Sequence, residues 1–190
     1  MIAVLGEEIS DCEFIEIMLR RISGQNTLRV AKKGFDGCGN LLRDGARHLN
    51  RLLHQGTKKF VVCIDADGKK VEERKAQVRQ RIFNTAQFVE GQCNSAIVVP
   101  VQEIESWILA DASALNKTFR RWGLKDHPSP EGLKDPKKVL QDSTRQHNGR
   151  PLYVPSTHNP VAAKYLDIDK LRHSCPSFAE FHAFVKACIS

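Results

Sequence analysis

Three short acidic groups in this chain each follow directly on an apolar run. Glu7 and Glu8 follow Ile2-Ala3-Val4-Leu5-Gly6, Asp65 and Asp67 follow Phe60-Val61-Val62-Cys63-Ile64, and Glu103 and Glu105 come soon after Ala96-Ile97-Val98-Val99-Pro100. Continuous apolar runs of this length suit buried strands of a parallel sheet. Ligands of open α/β sheets sit in the crevice outside the carboxyl ends of the strands. If the three strands are neighbours, their terminal carboxylates converge, and they repel one another unless their pKa values rise or a cation compensates. Hard oxygen donors of this kind select Mg²⁺ or Mn²⁺. Asp65-Ala66-Asp67-Gly68 offers a sharp turn at Gly68 that aims both acids at one ion. An Asp-x-Asp-Gly turn is also ordinary loop chemistry, so the weight rests on three acidic groups recurring at strand ends.

The elements that must position these acids alternate along the first part of the chain. After the first strand, Phe14, Ile17, Met18 and Ile22 recur at helical spacing, which predicts a helix over 11–23 with Ser10 or Asp11 at its N-cap and Gly24 at its end. Residues 27–31 read as a second strand, the glycine-bearing stretch 34–40 as a loop, and 40–55 as a helix. That loop lacks the Walker lysine and the dinucleotide glycine pattern, so it does not read as a nucleotide site. The strand over 60–64 leads into a basic helix from Lys69 to Arg81, and the strand over 96–100 leads into a helix opened by Glu103-Ile104-Glu105-Ser106-Trp107. This alternation predicts an α/β fold: a Rossmann-like open parallel sheet of about four strands flanked by helices. Beyond residue 112 the strand signals fade, prolines at 128, 130, 136, 151, 155 and 160 break the chain, and Phe178, Phe181, Phe184 and Val185 mark a last helix. The reading is one domain over 1–190, with a core over 1–111 and a helical, irregular extension over 112–190.

The chain of 190 residues carries a net charge of +7, which favours a polyanionic partner. Two basic stretches are candidates for contacting nucleic acid: Arg43 and Arg47, in a row completed by Arg51, and Lys69 and Lys70 beside the Asp-x-Asp turn. Glu72 and Glu73 argue for a solvated face on the second stretch. Six cysteines, at 12, 38, 63, 93, 175 and 188, form no CxxC pair and read as reduced, packed thiols of a cytoplasmic protein. No run approaches the roughly 20 apolar residues that cross a bilayer, so no membrane partner is expected.

Glu7-Glu8-Ile9-Ser10-Asp11-Cys12-Glu13-Phe14, followed later by Ile64-Asp65-Ala66-Asp67-Gly68, resembles the TOPRIM pattern of topoisomerases, primases, small ribosomal-RNA maturases and overcoming-lysogenization-defect nucleases. The chain is more closely similar to bacterial TOPRIM-like proteins of unknown function encoded beside ABC-type ATPases in apparent phage-defence loci. That likeness extends to the stretch Val101 to Asp111 (Glu105-Ser106-Trp107-Ile108-Leu109-Ala110-Asp111 above all), to Asp135-Pro136-Lys137-Lys138 and to Cys175-Pro176-Ser177-Phe178. The resemblance implies a metal-dependent nuclease or nuclease-like effector acting on DNA or RNA. Glu7 would be the acid/base or a ligand, Asp65 and Asp67 the Mg²⁺ or Mn²⁺ ligands, and Glu105 a ligand to a second metal. It also implies an ABC/SMC-type ATPase as partner, and leaves open a non-catalytic binding or regulatory subunit of such a complex. Glu8 stands where these families carry glycine after the first acid, either as an added ligand or as a weakening of the site.

Overall fold

The computed structural model describes residues 1–88, 94–146 and 149–189; Cys93 lies outside the described residues. The chain runs β1 (Ile2–Gly6), α1 (Ile9–Ser23), β2 (Val30–Gly34), α2 (Cys38–His54), β3 (Lys59–Cys63), α3 (Val71–Val78) and a π-helical turn (Arg79–Phe83). β4 (Asn94–Val98) and α4 (Glu105–Ala110) follow, then two 3₁₀ turns and α5 (Pro136–Ser143), α6 (Pro155–Ala162), α7 (Ile168–Ser174) and α8 (Pro176–Cys188). The fold is α/β, with a four-stranded, wholly parallel sheet in the order β2-β1-β3-β4, consistent with a Rossmann-like open sheet.

That order explains the strand compositions. β1 and β3 are central and nearly fully buried, as their continuous apolar sequences require. Their side chains alternate between two cores, Ile2, Val4, Val61 and Cys63 on the α1 side and Ala3, Leu5, Phe60 and Val62 on the α2 side. The α1 side also receives the C-terminal extension: Trp107 is fully buried, with its ring 5.1 Å from Phe178 and 6.0 Å from Phe14, and Leu140, Tyr153, Leu171 and Val185 join the same core.

Register brings the strand ends into line. Gly6 lies opposite both Gly34 and Cys63, and Cys63 opposite Val98. The strands that lead to Glu7, to Asp65 and to Glu103 and Glu105 are therefore adjacent, and edge strand β2 ends in a glycine. Gly34 packs so closely on the β1–α1 junction that a Cβ there would stand 2.5 Å from the Ile9 nitrogen and 2.8 Å from the Glu8 carbonyl carbon. The close backbone approach belongs to Gly34, and Glu8 itself sits in ordinary extended geometry with φ −117°.

Several elements differ from their sequence expectation. β2 begins at Val30 and runs through Lys32 and Lys33, because an edge strand keeps one side in solvent; Lys32 turns its ammonium to Glu16 at 2.6 Å. α1 is capped by Glu8, which forms a reciprocal capping box with Asp11, and Ser10 lies inside the helix. The basic helix breaks into a π-helical turn that buries both Ile82 and Phe83. Glu103 lies in the turn before α4, which opens at Glu105. No helix among the described residues is long and apolar enough to cross a membrane.

Candidate functional site

Glu7 leaves β1 at its carboxyl end and ties three elements together. Its Oε1 accepts the Asp65 N–H at 2.9 Å, and its carboxylate also accepts the Cys38 N–H at the start of α2. Its main-chain carbonyl accepts from Phe35 at 3.0 Å and Gly37 at 3.1 Å. The glycine-bearing loop is thus wrapped on Glu7. Burial raises the Glu7 pKa, the Asp65 amide and the Arg74 guanidinium oppose that, and Asp67 adds to it.

Asp65 sits two residues past β3, where the ladder continues beyond the strands proper: Ile64 donates to the Val98 carbonyl at 3.0 Å and Ala66 to Pro100 at 3.1 Å. The Asp65 side chain is partly buried, and among the described residues no donor hydrogen-bonds its carboxylate. Burial pushes its pKa well above the carboxylate range, reinforced by Asp11, Glu7, Glu105 and Glu103. Asp65 thus lies within the fields of four other carboxylates at the strand ends.

Asp67 and Gln102 both adopt left-handed backbone, with φ 49° and 63°, joined by an Asp67 N–H to Gln102 carbonyl bond of 3.1 Å. The Gln102 side chain accepts from Gly68 N–H at 2.8 Å. A left-handed non-glycine residue costs about 1–2 kcal/mol, and such strain gathers where a turn serves a site. The turn does not aim both acids inward. The Asp67 side chain is 82% exposed and stands 3.6 Å from Arg74 Nη2.

Two cations face the cluster. Arg74 is buried, donating through Nε to the Ala66 carbonyl at 3.2 Å and through Nη1 to Gln77 at 3.2 Å and Cys38 Sγ at 3.0 Å. Lys137, from α5 of the extension, ion-pairs with Glu103, and its main-chain N–H donates to the same carboxylate at 3.2 Å. Burial works against its charge, but the bond to Glu103 and the fields of Glu105 and Asp65 outweigh that and raise its pKa.

Glu105 is brought near Asp65, yet its carboxylate is already held. Asn159 Nδ2 donates to Oε1 at 3.3 Å, the Tyr153 hydroxyl lies 3.2 Å from the same oxygen, and Tyr153 also donates to Asn159. Burial raises the Glu105 pKa, with Lys137 opposing. Asp11 is a further member. It is buried, accepts the Glu8 N–H at 3.0 Å, and is pushed up to about 7 by burial, then by Glu105, Glu7 and Glu8. From sequence, Asp11 reads as a helix cap and as part of the TOPRIM-like stretch, without assignment to the site; its spacing of four from Glu7, around the first turn of α1, is the signal that points it there. Arg74 and Lys137 carry no local signal, since one reads as part of a basic helix and the other as part of a proline-rich extension.

The remaining candidates lie outside the cluster. Lys69 is exposed and paired with Glu73 at 2.9 Å, and Lys70 is exposed at the N-cap of α3. Arg43 and Arg47 share Asp44 at 2.7 and 3.0 Å on the outer face of α2. Among the described residues, no three His, Cys, Asp or Glu side chains converge as a ready set of metal ligands.

The site is thus a carboxylate cluster at the carboxyl ends of three adjacent strands of a parallel α/β sheet, flanked by one buried arginine and one lysine. Residues 6–186 match the family described as Domain of unknown function (DUF4276), and the chain belongs to that family. No curated protein and no solved structure matches it.

Proposed function

We propose that the protein is a metal-dependent phosphodiesterase acting on nucleic acid, of TOPRIM type, with its site at Glu7, Asp65 and Asp67. The observation that carries this reading is the Asp65 carboxylate at the end of β3, between the strands that lead to Glu7 and to Glu103 and Glu105, with its N–H on Glu7 and no donor to its side chain among the described residues. Carboxylates held together in this way are relieved by a cation. All the donors are hard oxygens, which fits Mg²⁺ or Mn²⁺. Glu7 and Asp65 would hold the ion, with Asp67 joining by turning from Arg74. When bound, a divalent cation there supplies Lewis-acid polarisation of a phosphoryl oxygen and lowers the pKa of water.

The chain's own residues account for the rest. Where Asp65 and Asp67 alone hold the ion, Glu7, its pKa raised by burial, is instead suited to exchange a proton with an attacking water or a leaving oxygen. Arg74 keeps the Ala66–Asp67 turn against α2, and Lys137 neutralises the Glu103/Glu105 side of the cluster, with Glu105 locked by Tyr153 and Asn159. In this reading the protein works in the cytoplasm, alone or with an ABC/SMC-type ATPase.

A second reading, a non-catalytic TOPRIM-like binding or regulatory subunit of an ATPase complex, is favoured by the outward turn of Asp67 and the absence of a converged ligand set among the described residues. Cleavage of plasmid DNA and of structured RNA with Mg²⁺ or Mn²⁺ separates the two. The catalytic reading expects cutting by the wild type that is lost in Asp65→Asn/Asp67→Asn. Mn²⁺ titration that finds no binding, together with no cutting, would leave the binding subunit.

A further inference from the structure

The cluster is strongly acidic, and a phosphate backbone must be brought to it against that charge. Two basic faces lie on either side of it, and they differ in how their charges are set out. On the α3 side, Lys69 is bound to Glu73, Lys75 is bound to Glu72 at 3.0 Å and Glu180 at 2.8 Å, Arg74 is buried, and Lys70 is exposed without an ion pair among the described residues. Along α2 the helix holds one acid, Asp44, against the row Arg43, Arg47 and Arg51. Arg43 is 68% and Arg47 84% exposed, and Arg51 is exposed with its guanidinium 3.0 Å from His48 Nδ1 and on no carboxylate among the described residues.

These arginines line a groove of roughly 580 Å³ whose other wall is Lys33, Phe35 and Asp36. The Lys33 ammonium lies 5.4 Å from the Phe35 ring centroid and has no carboxylate partner among the described residues. One end of the groove is the loop whose Phe35 and Gly37 amides bond the Glu7 carbonyl. The groove is therefore joined to the candidate site through the main chain of that loop and runs along α2. At 1.5 Å per residue the row from 43 to 51 spans about 12 Å. At 3.4 Å per phosphate of one strand this covers about three to four phosphates.

We infer that the α2 groove, through Arg43, Arg47, Arg51 and Lys33, is the track that holds the phosphodiester backbone of the nucleic acid, and that the lysines of the α3 side are not. This rests on the proposed nucleic-acid substrate and names the surface that receives it. The contacts are sequence-independent, since they reach phosphates and not base edges. Asp44 limits the track by occupying two of its arginines.

The test is equilibrium binding of a fluorescein-labelled 20-base-pair DNA duplex to the full chain in EDTA, read as the slope of log K against log [NaCl]. Each phosphate contact removed lowers that slope by about 0.9. Arg47→Gln/Arg51→Gln is expected to lower it by about 2 and to weaken binding several-fold at low salt. Lys69→Gln/Lys70→Gln is expected to change it by less than half as much. Asp44→Asn is expected to tighten binding, a gain that damage to the fold would not produce. An unchanged slope in the α2 double variant, or a larger loss in the α3 one, overturns the inference, as does a wild type that does not bind the duplex. Because no metal is present, Mn²⁺ titration of the same protein stands or falls separately: loss of Mn²⁺ binding alone removes the catalytic reading and leaves the track.

Discussion

Asp65 is where the forces in this protein conflict most. A carboxylate that no donor among the described residues bonds, set in the fields of four others, is costly to ionise, and folding alone gives no reason to keep it there. Replacing it by Asn removes the repelled charge while keeping the shape. Asp65→Asn is therefore expected to raise the melting temperature of the metal-free protein by a few degrees, since about 1 kcal/mol is worth roughly 2–4 °C in a chain of this size. The same change should abolish or strongly weaken Mn²⁺ binding. Opposite signs in calorimetry and metal titration mark a functional carboxylate; a fall in both would make Asp65 structural. At this scale the sequence placed Glu7 and Asp65 at the ends of recognisable strands, but not the outward turn of Asp67, which its left-handed backbone and exposed side chain show. It was silent about Arg74 and Lys137, whose approach to the site is set by tertiary packing of α3 and α5. It was incomplete about Asp11, whose capping chemistry masked its second role.

Elements explain how those side chains come to meet. The strand order β2-β1-β3-β4 places the three acid-bearing ends side by side, and only Gly34 lets edge strand β2 pass under the β1–α1 junction. A methyl group there collides with backbone, which cannot move aside as a flexible side chain can. Gly34→Ala is expected to destabilise the protein by about 1–3 kcal/mol, the usual range for overpacking. It should also weaken Mn²⁺ binding, because the segment it displaces carries Glu7. Urea unfolding and metal titration on one preparation check both, and unchanged metal affinity would uncouple β2 from the site. The central strands β1 and β3 and the helices over their faces were legible because burial on both sides forces continuous apolar runs. The limits of β2 were not, since an edge strand carries Lys32 and Lys33 without penalty. Nor was the start of α4, where a turn precedes Glu105.

For the whole molecule, the extension over 112–190 belongs to the same balance. It seats Lys137, Tyr153 and Asn159 against the carboxylates while its aromatic residues close the α1-side core, so the charge state of the cluster bears on global stability. Asp11 has an ordinary carboxyl pKa of 3.8 when unfolded and about 7 when folded. Between those values the folded protein binds more protons than the unfolded one, so stability declines as pH rises. Glu7, Asp65 and Glu105, all raised by burial, push the same way. In EDTA the melting temperature is therefore expected to fall between about pH 5 and pH 8, in contrast to a protein whose carboxylates are held ionised by partners. A divalent cation bound at the proposed site is expected to reverse this trend. At a hundredfold excess over its dissociation constant, Mn²⁺ adds about 2.7 kcal/mol, or about 5–11 °C at 2–4 °C per kcal/mol. Protons compete for the same oxygens, so the Mn²⁺-induced shift should be larger at pH 8 than at pH 5.5. Thermal melts with and without Mn²⁺ across this range test the cluster as one unit. A metal-free melting temperature that climbs steadily to pH 8, or an Mn²⁺ shift greatest in acid, would show that these carboxylates do not share their charge in the way the fold places them.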